Sequence, residues 1–135
     1  MMANLYLSTA LITALQTHAA DAAPDECVGL LFGHGERVTR AVPLTNASST
    51  PRTRFFAPPQ ELFAALKEAD DRGEVFIGSY HSHPRSAAWP SKTDLGAPDG
   101  TVMFIVGQSD VKAFRDVKAF RLTGGEAEEL ELHLV

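Results

Sequence analysis

The spacing of apolar positions changes several times along the chain, and each change marks an element. Residues 5–15 are largely apolar. Leu7, Leu11, Ala14, Leu15 and His18 recur at three- and four-residue steps, the mark of one helix face. Ser8 or Thr9 can cap that helix, and it runs to about Ala20, so the stretch from Leu5 onward reads as one packed amphipathic helix. Pro24 ends it. Residues 26–32 form the first strand, with Cys27, Gly29 and Leu31 on one face and Glu26, Val28, Leu30 and Phe32 on the other. Gly33 and Gly35 close it with a turn, and residues 36–44 return as a second strand in a hairpin. A polar loop over 46–51 leads to a short strand at 53–56. Pro58 and Pro59 then open a second helix over 60–71, with Leu62, Phe63, Leu66 and Ala69 as its buried face and Gly73 as its stop.

Residues 74–83 alternate as a strand whose one face carries Val75, Ile77, Ser79, His81 and His83. Gly78 and Ser79 are small enough to admit a neighbouring strand or a substrate backbone. An exposed loop with Trp89 follows, and Trp89 either walls a groove or covers the core. Ser91 starts a short helix as N-cap, with Asp94 three residues on as in a capping box. Residues 101–106 are a strongly apolar central strand. The hexapeptide DVKAFR at 110–115 repeats at once at 116–121; the even period keeps the same face inward, with the second copy as strand and the first as the preceding hairpin arm. Residues 128–135 form a last strand with Leu130, Leu132 and Leu134 on one face and a solvated acidic edge. About seven strands, two main helices and one short helix joined mostly by short turns predict an α+β domain with antiparallel or mixed strand pairing.

Composition narrows the partners. The 135 residues suit one domain spanning 1–135, and 44% hydrophobic with 21% charged residues is an ordinary globular balance. A net charge of −5 argues against a nucleic-acid backbone. The apolar N-terminal stretch is too short to span a bilayer and lacks a basic flank, so no membrane association and a cytoplasmic location are expected. A single cysteine, Cys27, excludes an internal disulfide and any closed zinc site needing two or four cysteines.

The chemistry gathers at His81-Ser82-His83-Pro84 and at Ser91 and Asp94. Residues two apart on a strand share a face with Cα atoms roughly 6.6 Å apart, so both imidazoles can converge on one ion. Asp94 can add an oxygen ligand, and two histidines with a carboxylate leave a fourth position open, as catalytic zinc requires. The histidines could equally be satisfied polar groups on a strand, and Ser91 and Asp94 a helix cap. Glu26 on an apolar strand face costs desolvation unless something compensates it; beside a metal centre it reads as a general base. Cys27 faces away and reads as a core residue. The chain has neither the His-Glu-x-x-His of a zincin nor the Pro-Cys-x-x-Cys of a zinc deaminase.

The histidine–serine–aspartate spacing in His81, His83, Ser91 and Asp94, with the Glu26-Cys-Val-Gly-Leu-Leu-Phe-Gly33 strand upstream, resembles the JAMM family of zinc metallopeptidases, also called JAB or MPN-plus. The likeness extends from about residue 5 to residue 135 and implies a cytidine-deaminase-like α+β fold, a curved sheet with helices packed on it. It implies one zinc per chain on His81, His83 and Asp94, with Glu26 taking a proton from water and returning it to the leaving amine. Ser91, by the same resemblance, donates to the oxyanion. The compact length, without insertions or a second Cys/His cluster, resembles prokaryotic members. Those cleave the amide bond after the C-terminal Gly-Gly of small ubiquitin-like or sulfur-carrier proteins. Non-catalytic MPN scaffolds share the fold but lack the full set of site residues, which this chain has. The apolar 53–56 segment leaves a homodimer open.

Overall fold

The structure, a computed structural model, describes residues 3–109 and 115–135. Seven strands form one mixed sheet that closes on itself: β1 (Asn4–Leu7), β2 (Val28–His34), β3 (Arg37–Leu44), β4 (Val75–Ala87), β5 (Val102–Gln108), β6 (Arg115–Thr123) and β7 (Glu126–Leu134), in the spatial order β1-β3-β2-β4-β5-β6-β7. Two helices pack on it, α1 (Thr9–Ala22) and α2 (Pro59–Asp71). The α+β class is as expected, and the curvature goes as far as closure. β1 seals the ring, pairing in parallel with β7 over four residues and with β3 at Tyr6 and Arg37.

β1 corrects the expected helix from Leu5. Leu5 and Leu7 alternate inward with Asn4 and Tyr6 half-buried, which is strand periodicity. The helix cannot start earlier than Thr9, because the Ser8 hydroxyl accepts the Leu11 N–H as its N-cap. Leu15 and Ala19 form its buried stripe and Ala14 is exposed. On α2 the inner stripe is Leu62, Ala65 and Ala69, so the expected Phe63 and Leu66 lie outside, 71% and 45% exposed. The expected strand at 53–56 is also absent. Its backbone partners are taken by the Asn46 carboxamide, which donates to the Arg54 carbonyl and accepts the Phe56 N–H, and by the Ala47 N–H, which reaches the Phe56 carbonyl. The segment is therefore a loop rather than a strand, with Phe55 and Phe56 still exposed on it.

β4 is the longest strand and is bulged. Its register against β2 shifts between Leu31 and Phe32, so Ile77 turns into the core with Tyr80 while Phe76 meets Phe32 on the other face. This breaks the expected alternation below Gly78 and leaves it intact from Ser79 to His83. A Cβ at Gly78 would collide with the Val102 carbonyl, so this glycine serves the neighbouring strand. β6 contains the second hexapeptide; the first copy, apart from Arg115, lies outside the described residues. β7 pairs with β6 over residues 126–130 and with β1 over 131–134, so residues 126–129 keep one side unpaired and their exposed acidic side chains form the expected solvated edge. Trp89 packs on Phe120, ring centroids 5.4 Å apart, and covers the core.

β4 and β5 run parallel, which forces the intervening chain to cross back over the sheet. It leaves β4 at Ala87 and rejoins β5 level with Ser79, below the histidines. The crossover therefore passes over the face that carries His81 and His83. Its inner side is fixed by Ala88, Leu95 and Ala97 packed with Met103, Ile105, Phe120 and Leu122.

Candidate metal centre

Asp94 rides on that crossover. The Ser91 hydroxyl accepts the Asp94 N–H at 3.0 Å, and Asp94 Oδ2 accepts the Ser91 N–H at 2.9 Å. This reciprocal pair is the expected capping box, here over a turn that continues as the 3₁₀ segment Asp94–Gly96. It turns the carboxylate onto the imidazoles: Oδ2 lies 3.1 Å from both His81 Nε2 and His83 Nε2. All three side chains are buried, and their ligand atoms lie within 4.8 Å of one another. Ligand atoms about 2.0–2.1 Å from a tetrahedral ion sit ~3.3 Å apart, close to the 3.1 Å between Asp94 Oδ2 and each imidazole nitrogen.

The orientation of the imidazoles also suits a metal. His83 Nδ1 is 3.1 Å from the Ala87 carbonyl, which can only accept, so Nδ1 carries a proton and Nε2, which faces Asp94, is the nitrogen an ion would take in place of its proton. Phe55 stacks on His81 with centroids 4.8 Å apart and planes 29° from parallel, holding that ring flat. Burial alone would raise Asp94, but hydrogen bonds from His81 and His83, the charge of His81 and the Ser91 N–H together hold it well below the usual carboxylate range. Burial alone would lower His83; the Asp94 and Ala87 hydrogen bonds and the charges of Asp94 and Glu26 outweigh it and raise the imidazole. The donor set, the spacing and the fixed tautomer all fit a divalent zinc.

Glu26 lies just before β2, and the ladder reaches it through its neighbour. Val28 pairs with His81, the Ser82 N–H donates to the Cys27 carbonyl, and the Cys27 N–H donates to Ser82 Oγ. Glu26 is thereby brought level with His83 on the same face, and both line one cavity of about 680 Å³ together with His81, Asp94 and Ser91. Burial, with a lesser push from Asp94 and against the pull of His83, drives the Glu26 carboxyl up to about 7. Its backbone is pinned by Pro51, whose carbonyl accepts the Glu26 N–H at 2.8 Å, and by Asn46, whose amide donates to the Glu26 carbonyl at 2.9 Å. Cys27 points into the core and its thiol is pushed up by burial. The cavity has a wall the sequence did not announce, made of Arg52, Arg54 and Phe55. The only sign of it was a Ser/Thr/Pro-rich loop following an asparagine.

A mixed barrel whose parallel crossover brings a carboxylate onto a paired histidine strand, with a second acid in the same cavity, is the arrangement of a candidate metal centre. Residues 8–123 match the family described as prokaryotic homologs of the JAB domain, and the chain belongs to it. It is 36% identical over 111 residues to a probable TtuB-protein conjugate cleaving protease of Thermus thermophilus, covering 82% of this chain and 74% of that protein. It is 28% identical over 134 residues to the CysO-cysteine peptidase of Mycobacterium bovis, covering 97% and 91%. Among solved structures, protein DSY2949 from Desulfitobacterium hafniense superposes with a TM-score of 0.85 at 28% identity, covering 97% of this chain and 92% of that one. Among the described residues, no helix is long and apolar enough to cross a membrane.

Proposed function

We propose that this chain, acting as a single domain in the cytoplasm, is a zinc-dependent peptidase. It hydrolyses the amide bond after the C-terminal Gly-Gly of a small ubiquitin-like protein of the sulfur-carrier type. The observation that supports this most is the convergence of His81 Nε2, His83 Nε2 and Asp94 Oδ2 in the cavity that also holds Glu26. The relatives add support, since one is named as a probable protease cleaving TtuB-protein conjugates and the other as a CysO-cysteine peptidase.

His81, His83 and Asp94 would hold one zinc, which when bound supplies Lewis acidity to a carbonyl and acidifies water. Glu26 faces the same space, and its raised proton affinity near neutral pH lets it take a proton from the attacking water and deliver it to the departing amine. An amine leaves poorly without that proton. Ser91 Oγ already accepts the Asp94 N–H, so its own O–H is the group left to donate to the oxyanion. Glycines in the tail allow its backbone to lie close to the centre, because no side chain holds it away.

The test is incubation of zinc-loaded protein with Gly-Gly carriers that bear C-terminal extensions, followed by mass spectrometry. Cleavage directly after Gly-Gly is expected, and Glu26→Gln should slow it by ~100–10,000-fold with zinc content unchanged. Equal rates in parent and variant, or cuts elsewhere, would overturn the reading.

A further inference from the structure

The cavity is more cationic than the chain that builds it. The protein carries a net charge of −5, yet Arg52, Arg54 and Arg85 all line the cavity. The carboxylates lining it are Glu26 and Asp94, and both are buried at the metal centre. Among the described residues, none of the three arginines takes part in an ion pair. Their guanidinium groups are therefore open to a ligand.

Two of the three sit on a fixed platform. The Asn46 carboxamide donates to the carbonyls of Pro51 and Arg54 and to that of Glu26, and it accepts the N–H groups of Ser48 and Phe56. Phe55, between the arginine and the end of the loop, stacks on His81. The backbone that carries Arg52 and Arg54 thus holds a set position beside the cavity. Arg85 lines the same cavity from β4, two residues beyond His83. A guanidinium offers forked donors that match a carboxylate in geometry and charge, and a substrate filling the cavity would exclude the water that weakens exposed ion pairs.

We infer that Arg52, Arg54 and Arg85 form a carboxylate-reading rim that selects substrates carrying a carboxylate within a few residues of the scissile bond. The inference rests on the peptidase reading and deepens it. Two sources share this chemistry: the free α-carboxylate of a leaving amino acid, and an acidic side chain of the carrier tail just before Gly-Gly. A lysine ε-amide conjugate on a neutral tail would offer neither.

Four synthetic tail peptides ending in Gly-Gly-X separate the sources. They cross a free or amidated terminus with Asp or Asn immediately before Gly-Gly. For the zinc-loaded parent, at least one charge should raise kcat/KM about tenfold, mainly through KM. The charge that matters names the source. In Arg52→Gln/Arg54→Gln or in Arg85→Gln the charged-to-neutral ratio should fall toward one; because it is taken within each variant, a loss of folded protein cancels. A parent that does not distinguish the four peptides, or ratios that survive in both variants, would overturn the rim. If the parent cleaves none of them, the peptidase reading fails separately. The rim is then judged by fluorescence anisotropy of the same peptides on Glu26→Gln protein: charge-dependent binding supports it, and charge-independent binding or none overturns it.

Discussion

Glu26 is the residue at which folding and chemistry oppose each other. Its carboxyl is buried beside Asp94, and burial first of all raises it from 4.5 to about 7. In the metal-free protein the folded state therefore holds this proton more tightly than the unfolded chain does. The associated stability is complete below about pH 4.5 and is lost as pH rises through about 7. Glutamine cannot ionise, so metal-free Glu26→Gln should be more stable than the parent at pH 8, by about 1–3 kcal/mol, and should have no such advantage at pH 4. Urea denaturation of the two chelated proteins across this range checks it; a difference that does not change with pH would contradict the assigned cause. At this scale the sequence was informative where spacing carries chemistry. His81 and His83 share a face because strands alternate, and Ser91 and Asp94 meet because a capping box spans three residues. Phe55, Arg52 and Arg54 were not legible, because nothing local says which loop folds over which strand.

Two connecting segments, rather than the strands, complete the site. The crossover from β4 to β5 brings Asp94 to the imidazoles, and the segment between β3 and α2 brings Phe55 onto His81. That second segment was misread as a strand at 53–56 from its paired aromatics. The misreading has a physical cause: one asparagine side chain replaces the partner strand, and side-chain replacement of a ladder leaves no periodic signal. Asn46→Ala would leave the Glu26, Pro51 and Arg54 carbonyls without these donors, so a loss of ~1–3 kcal/mol in stability is expected. The same change should lower peptidase kcat/KM about tenfold or more through displaced Glu26 and Phe55, with zinc content retained. Denaturation midpoints, kinetics and elemental analysis on one preparation separate these effects. Unchanged kinetics in a destabilised variant would show that the loop is only structural. The inner stripe of α2 was misphased for a related reason, since Phe63 and Leu66 are as apolar as the alanines that pack.

For the molecule as a whole, the class and the grouping of His81, His83 and Asp94 were readable and closure was not. The α+β content follows from the alternation of periods, but whether a curved sheet closes depends on β1, four residues whose alternation is hidden against the start of α1. Closure places one ring beneath the site: β4 presents the histidines, the residues leading into β2 present Glu26, and β5 fixes the return of the crossover. The central claim is that this ring holds a single zinc on three named atoms with Glu26 beside it. Anomalous X-ray scattering at the zinc edge, from crystals grown with one equivalent of zinc, addresses that claim most directly. The account predicts one strong peak within ~2.0–2.2 Å of His81 Nε2, His83 Nε2 and an Asp94 carboxylate oxygen, with the Glu26 carboxylate facing its open side. No peak there, or a peak that engages only one of the two histidines, would contradict it.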